Sequence, residues 1–254
     1  MLLGKDEPIA ANAVNAGASG SPFVLIGDHA GRAIPAKLGD MGLAADELQR
    51  HIAWDIGVAE LGAALSENLH SPFISQRYSR LVIDCNRDPA RTDSICEISD
   101  GTMVPGNTDL GPEARAERVA EIFTPYHAAI RRALDARGDA PTKLIAVHSF
   151  TPVFGGFQRP WRFGVLHRGD SALSRSMLAV LREAEGEALV GDNEPYAMDT
   201  VDYTIPHHAD ARGLDYLELE VRQDLIARPS DAQAMANLLA PLLMKALQRA
   251  GSGD

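Results

Sequence analysis

The sequence predicts an α/β fold: a single three-layer domain whose mainly parallel, mixed sheet is flanked by helices. Three observations carry that reading. Short β-branched runs alternate with long stretches of helical period. Three of the runs deliver a reactive residue: FVLIGDHAG gives His29, KLIAVHSF gives His148, and DYLELEVRQD gives Glu218 and Glu220. No internal repeat or interior linker divides the 254 residues. One domain is therefore expected over 21–254, behind a flexible lead-in over 1–20. In open α/β sheets, ligands bind outside the carboxyl ends of the strands, which is where these runs place His and Glu.

Taken in order, residues 22–27 form an apolar run that reads as a buried strand, and HAGRAIP reads as a loop punctuated by Gly and Pro. Residues 45–69 repeat Leu48, Ile52, Ile56, Leu61 and Leu65 at helical spacing, which predicts one long helix. Residues 73–76 and 80–85 read as two short strands. The stretch 88–111 holds two prolines and three glycines and reads as irregular; a loop of that length is commonly functional. A second long helix is expected over 112–137, with Pro112 in its first turn and Gly138 at its end. Strands follow at 143–147, 163–166 and 189–191, with a loop over 149–162 and a helix over 171–185. After an irregular segment over 193–212 come a strand over 216–222 and a terminal helix over 230–249, with Ser230 as candidate N-cap.

Composition narrows the function. With 45% hydrophobic and 23% charged residues the chain is an ordinary globular sequence able to bury a core. A net charge of −11 argues against nucleic acid, which needs a clustered basic face, but leaves room for a small carboxylate held by a few convergent arginines. Cys85 and Cys96 form no metal-knot motif, and a reduced, cytoplasmic compartment fits them. No apolar stretch is long enough to span a membrane, so none is expected. Oligomeric state is not written in the sequence.

His29 and His148, each beside the end of a buried run, are the candidate metal ligands. A catalytic zinc takes three protein ligands and keeps one position open. The third can come from Asp28, beside His29, or from Asp55, an acid inside the apolar stretch HIAWDIG. A buried aspartate needs a partner or a metal, so Asp55 is preferred, with an ion pair to Arg80 as the structural alternative. Glu218 and Glu220 share one face of their strand. Glu220, nearer the carboxyl end, is the candidate general base, and Glu218 can instead pair with Arg222. The segment YSRLVIDCNRDPAR gathers Arg80, Asn86, Arg87 and Arg91, a set suited to gripping a carboxylate, with Asp84 orienting one of the arginines. Tyr203, His207 and His208 precede the Glu220 strand and can donate to an oxyanion.

At this point the motifs DHAGRAIP, HIAWDIG, YSRLVIDCNRD, AVHSF and YTIPHHADARGLDYLELEVRQDL, in this order, resemble the N-formylglutamate amidohydrolase (deformylase) family from about Pro22 to about Leu225. The resemblance implies a zinc-exopeptidase-like, phosphorylase/hydrolase-like fold, similar to the zinc carboxypeptidase and aspartoacylase group. It implies one zinc ion (Zn2+) and hydrolysis of N-formyl-L-glutamate to formate and glutamate, late in one route of histidine degradation. It marks His29 and His148 as zinc ligands, Glu220 as the base that activates water, and Asn86 with Arg87 as the carboxylate grip. Arg80, Tyr203 and His208 complete the expected substrate contacts. The wider group reads His-x-x-Glu where this chain reads His29-Ala30-Gly31-Arg32, so Asp55 stands in as third ligand. The loops 88–111 and 149–162 are expected to shape the acyl pocket. Two other readings use the same residues: a related N-acyl amino acid deacylase or carboxypeptidase-like hydrolase, and a non-catalytic carboxylate-binding protein, for which the missing Glu at position 32 speaks.

Overall fold

Odd and even residues of the buried runs enter two different cores. Phe23, Leu25, Ile145, Val147, Leu217 and Leu219 join one, whereas Val24, Ile26, Leu144, Ala146 and Tyr216 join the other. A sheet buried on both faces follows, because successive strand side chains point to opposite sides. The computed structural model describes residues 1–18, 20–198 and 201–252. Residues 19, 199, 200, 253 and 254, which fall in the expected lead-in, the 193–212 segment and the domain end, lie outside the described residues.

In chain order the strands are β1 (Ala11–Val14), β2 (Phe23–Gly27), β3 (Phe73–Gln76), β4 (Ile98–Ser99), β5 (Thr102–Met103), β6 (Lys143–Phe150), β7 (Val153–Phe154), β8 (Phe157–Gln158), β9 (Phe163–Leu166), β10 (Val190–Asp192) and β11 (Asp215–Arg222). The α-helices are α1 (Val58–Leu69), α2 (Pro112–Arg118), α3 (Thr124–Asp135), α4 (Ala172–Glu185), α5 (Thr204–His208) and α6 (Pro229–Ser252). Seven strands make one mixed sheet in the order β1-β3-β2-β6-β11-β9-β10, while β4–β5 and β7–β8 are two small hairpins. Pairs β3–β2, β2–β6, β6–β11 and β9–β10 are parallel; β1–β3 and β11–β9 are antiparallel. The predicted three-layer α/β domain with a mainly parallel sheet is the observed one. Among the described residues, no helix is long and apolar enough to cross a membrane.

Helix α4 illustrates how sequence sets an element. Ser171 caps it by accepting from Ser174 N at 3.0 Å, Leu173, Met177, Val180 and Leu181 face the core, and Gly186 ends it at φ +96°. Helices α2 and α3 are one continuous rod joined by a π-turn over Val119–Phe123. Pro125 has no N–H to offer the carbonyl four residues back, so the turn widens there.

Four expectations are corrected. The lead-in over 1–20 is not loose throughout: Ala11–Val14 pairs with β3, and Leu2 and Ala10 are buried. The helix expected over 45–69 begins only at Val58. Gly57 adopts φ +84°, and a Cβ there would lie 2.2 Å from the Ile226 carbonyl, so the chain turns at Asp55–Gly57 instead of continuing a helix. Residues 80–85 are turns, not a strand. Their carbonyls are met by side chains: Asn107 Nδ2 donates to Leu81 O at 2.9 Å and Arg118 Nη1 to Val82 O at 2.9 Å. Ser230 lies inside α6, which already begins at Pro229, and does not cap it.

Candidate active site

The parallel strands β2, β6 and β11 bring the site together at their carboxyl ends. Backbone bonding fixes the first two pieces: Asp55 N donates to His29 O at 2.9 Å, and Ser149 Oγ donates to Ile56 O at 2.9 Å. The turn that breaks the expected helix thereby carries Asp55 to the two histidines. One ligand atom each from His29, Asp55 and His148 lies within 4.8 Å of the others, and all three residues are buried. The ring centroids of His29 and His148 are 5.1 Å apart.

Each imidazole is held from behind. His29 Nε2 is 2.8 Å from Asp84 Oδ1, and its Nδ1 is 3.4 Å from Asp55 Oδ2. His148 Nδ1 is 2.9 Å from Asp55 Oδ2, and its Nε2 is 3.4 Å from Asp28 Oδ2. The His29 Nε2–Asp84 bond is the carboxylate–histidine arrangement that orients a metal ligand. Asp28, the alternative third ligand, accepts from Thr204 Oγ1 at 2.8 Å through Oδ1, and its Oδ2 makes no hydrogen bond to His148. His29 Nδ1, His148 Nε2, Asp28 Oδ2 and Glu220 Oε2 are buried without a hydrogen-bond partner. Buried polar atoms are rarely left so, and two imidazoles with a carboxylate are a donor set suited to a divalent metal ion. Burial alone would raise the Asp55 pKa, but His29 and His148 outweigh it and hold the carboxyl well below its usual range. Arg80 also faces Asp55, Nη1 to Oδ1 at 3.6 Å, so the ion-pair alternative and the ligand placement coexist.

Glu220 stands opposite His148 in the β6–β11 register and opposite Gly164 on β9. A Cβ on Gly164 would lie 2.2 Å from Glu194 O and 3.2 Å from Glu220 Cβ, so glycine there leaves the space Glu220 needs. Burial pushes the Glu220 carboxyl up to about 7, against the pull of His148. Burial likewise pushes Glu218 up to about 8. Arg222 bonds Asp224 at 2.8 Å through Nε and does not serve as the expected partner of Glu218. Both glutamates line a cavity of about 440 Å³ together with His29, Asp55, His148 and Arg80. The loops 88–111 and 149–162 contribute Ser99 and Asp100, and Ser149, Phe150, Thr151 and Phe154, to its wall, as expected.

The remaining expected contacts divide. Arg80 and Arg87 line the cavity. Arg80 Nη2 donates to Asp84 Oδ2 at 2.6 Å, the orienting bond foreseen for Asp84, and Arg87 Nη1 reaches Asp202 Oδ1 at 3.4 Å. Asn86 also lines the cavity, but its amide is committed. Oδ1 accepts from Tyr203 N at 3.0 Å and Thr204 N at 2.9 Å, and Nδ2 donates to Asp202 at 3.1 Å. It therefore holds the start of α5 in place while lining the cavity beside Arg87.

Tyr203 and His208 are not among the cavity-lining residues. Helix α5 turns His208 inward, where its Nε2 is 2.9 Å from His127 Nδ1, and stacks Tyr203 on His207 with centroids 4.7 Å apart. Sequence reasoning missed His51, Asp100, Tyr196 and Asp202 in the wall. Tyr196, an aromatic inside a Pro- and Asp-bearing loop before the Glu220 strand, offered the one usable signal.

A family model described as N-formylglutamate amidohydrolase matches residues 21–227. A gene product of Agrobacterium tumefaciens of solved structure is 37% identical, with 98% of each chain covered and a TM-score of 0.91. An N-formylglutamate amidohydrolase from Ralstonia eutropha, 19% identical, superposes over 97% of this chain and 100% of its own with a TM-score of 0.69, which shows a shared fold. Comparison with curated proteins returns no match. Because the family model spans most of the sequence, including His29, Asp55, His148 and Glu220, this chain belongs to the N-formylglutamate amidohydrolase family and is a hydrolase of that kind.

Proposed function

We propose that this protein hydrolyses the amide bond of an N-acyl amino acid, N-formyl-L-glutamate first, releasing formate and L-glutamate. One observation carries the reading: the unpartnered Oε2 of buried Glu220 shares a cavity with the His29, Asp55 and His148 cluster. The substrate itself is taken from the family description and from the name of the Ralstonia eutropha neighbour. We assign zinc to His29, Asp55 and His148, with Asp84 fixing the His29 ring. Bound there, zinc supplies Lewis-acid polarisation of water and of the scissile carbonyl. Glu220 takes the proton of the attacking water and returns it to the departing amine; a carboxyl pushed up to about 7 suits that exchange near neutral pH. Arg87 offers its charge to a substrate carboxylate. On this substrate the enzyme belongs late in a histidine-degradation route. The free thiols Cys85 and Cys96 suit the reducing cytoplasm.

Glu220→Gln tests the assignment. Turnover of N-formyl-L-glutamate should fall about 10²–10⁴-fold while the bound metal is retained; an unchanged rate removes Glu220 as the base. Chelation should abolish activity and zinc should restore it. The apolar wall of Ile52, Phe150, Phe154 and Leu166 favours a second reading, a larger acyl group. Rates on N-formyl, N-acetyl and longer N-acyl glutamates separate the two.

A further inference from the structure

Arg159 is a buried cation without an anion. It is 6% exposed, yet among the described residues no carboxylate lies within ion-pair distance of its guanidinium. Its Nη1 donates to Thr151 O at 3.2 Å and to Thr151 Oγ1 at 3.1 Å. Its Cζ lies 5.8 Å from the Phe150 ring, 5.0 Å from Phe154 and 4.8 Å from Tyr196. Phe150, Thr151, Phe154 and Tyr196 all line the cavity of the Glu220 site. The positive charge therefore sits immediately behind that wall, held by ring faces and one threonine.

Burying a guanidinium without a counter-charge is costly, and aromatic faces offset only part of that cost. In a chain with 35 acidic residues against 24 Lys and Arg, partners are plentiful. The two arginines that do line the cavity have them: Arg80 with Asp84 and Asp55, Arg87 with Asp202. Beside Arg159, Tyr196 is 42% exposed. Its hydroxyl pKa is raised by burial and further by Glu220, so it stays protonated and able to donate. A fixed cation next to a neutral O–H donor is a recognition pair for carboxylate.

We propose that Arg159, acting with Tyr196, is the specificity-determining residue that selects an N-acyl amino acid with an acidic side chain, the α-carboxylate being left to Arg87. This rests on the functional reading above and names what the cavity discriminates.

The test compares N-formyl-L-glutamate with its neutral isostere N-formyl-L-glutamine on parent, Arg159→Gln, Arg159→Lys and Tyr196→Phe proteins. Losing the charge behind the wall should raise KM for the glutamate substrate about 10–100-fold in Arg159→Gln, with much smaller changes in kcat and in KM for the glutamine substrate. Arg159→Lys should restore part of the preference, and Tyr196→Phe, at a half-exposed position, should weaken it without affecting folding. Equal losses on both substrates, or a preference that survives both Arg159→Gln and Tyr196→Phe, would overturn the proposal. Calorimetric binding of L-glutamate against L-glutamine makes the same comparison without turnover. A parent that hydrolyses neither formyl amino acid but loses glutamate binding in Arg159→Gln refutes the functional reading and keeps this one. Unchanged glutamate affinity in Arg159→Gln sinks this inference alone.

Discussion

The two faces of the sheet carry different kinds of residue, although the same strands build both. Toward α1, α4 and α6, strands β6 and β11 present Ile145, Val147, Leu217, Leu219 and Val221, all apolar and fully buried. Toward the other side they begin with Leu144, Ala146 and Tyr216 and end with His148, Glu218 and Glu220. Alternation lets one set of positions hold the fold while the intervening set carries chemistry. The site face bears a cost that the apolar face does not, since burial drives two of its carboxyls up to about 7 and 8.

Neighbouring substitutions on β11 give the largest test of that division. Glu220→Gln should remove turnover as stated above and leave the melting temperature unchanged or higher, because a desolvated carboxyl is lost. Leu219→Ala, one residue away, should cost about 2–5 kcal/mol of stability by denaturant unfolding while the folded fraction keeps its kcat. If Leu219→Ala silences folded molecules as well, the faces are coupled and the contrast breaks.

A middle-sized effect should come from behind the site. Asp84→Asn leaves both cores intact but loosens the His29 ring, and metal affinity should drop about 10–100-fold in a chelator competition. Wild-type affinity in that variant would mean that Asp55 alone orients the ring.

The smallest effect concerns the histidine pair beneath α5. Burial lowers His127 to about 4 and His208 to about 3, from an ordinary 6.5. The native state therefore resists protons that the unfolded chain takes up. The pair's contribution to stability is complete above pH 6.5 and is lost as pH falls toward about 4 and 3. His208→Gln should make that decline shallower by about 1.4 kcal/mol per pH unit at most. Parallel pH–stability curves for parent and variant would assign the acid sensitivity elsewhere.

Much of this was legible in the sequence because the central strands are short apolar runs with a polar residue at a fixed phase. That phase put Glu218 and Glu220 on one face before any coordinates, and an acid inside HIAWDIG drew attention to Asp55. Residues 80–85 defeated the same logic. Their apolar run looks like a strand, yet its carbonyls are met by Asn107 and Arg118 from distant sequence, which no local pattern reports. The hydrogen bonds of Asn86 and His208 were unreadable for a related reason. Each is a polar residue near the site whose hydrogen bonds are spent on Thr204 and His127 respectively, and only the fold reveals those partners.

Arg118 gives the segment behind the site an unusual dependence. One buried guanidinium reaches Val82 O, Gly106 O and Asn107 Oδ1, and Asn107 in turn holds Leu81 O and Cys96 O. The stretch bearing Arg80, Asp84 and Arg87 is thus tied down by scattered side-chain and turn hydrogen bonds, Arg118 and Asn107 prominent among them, and not by a strand ladder. Heat inactivation and global melting need not coincide in such a molecule. Activity can fade while circular dichroism still reports an intact sheet, and a stabiliser chosen by melting temperature alone would strengthen the wrong half.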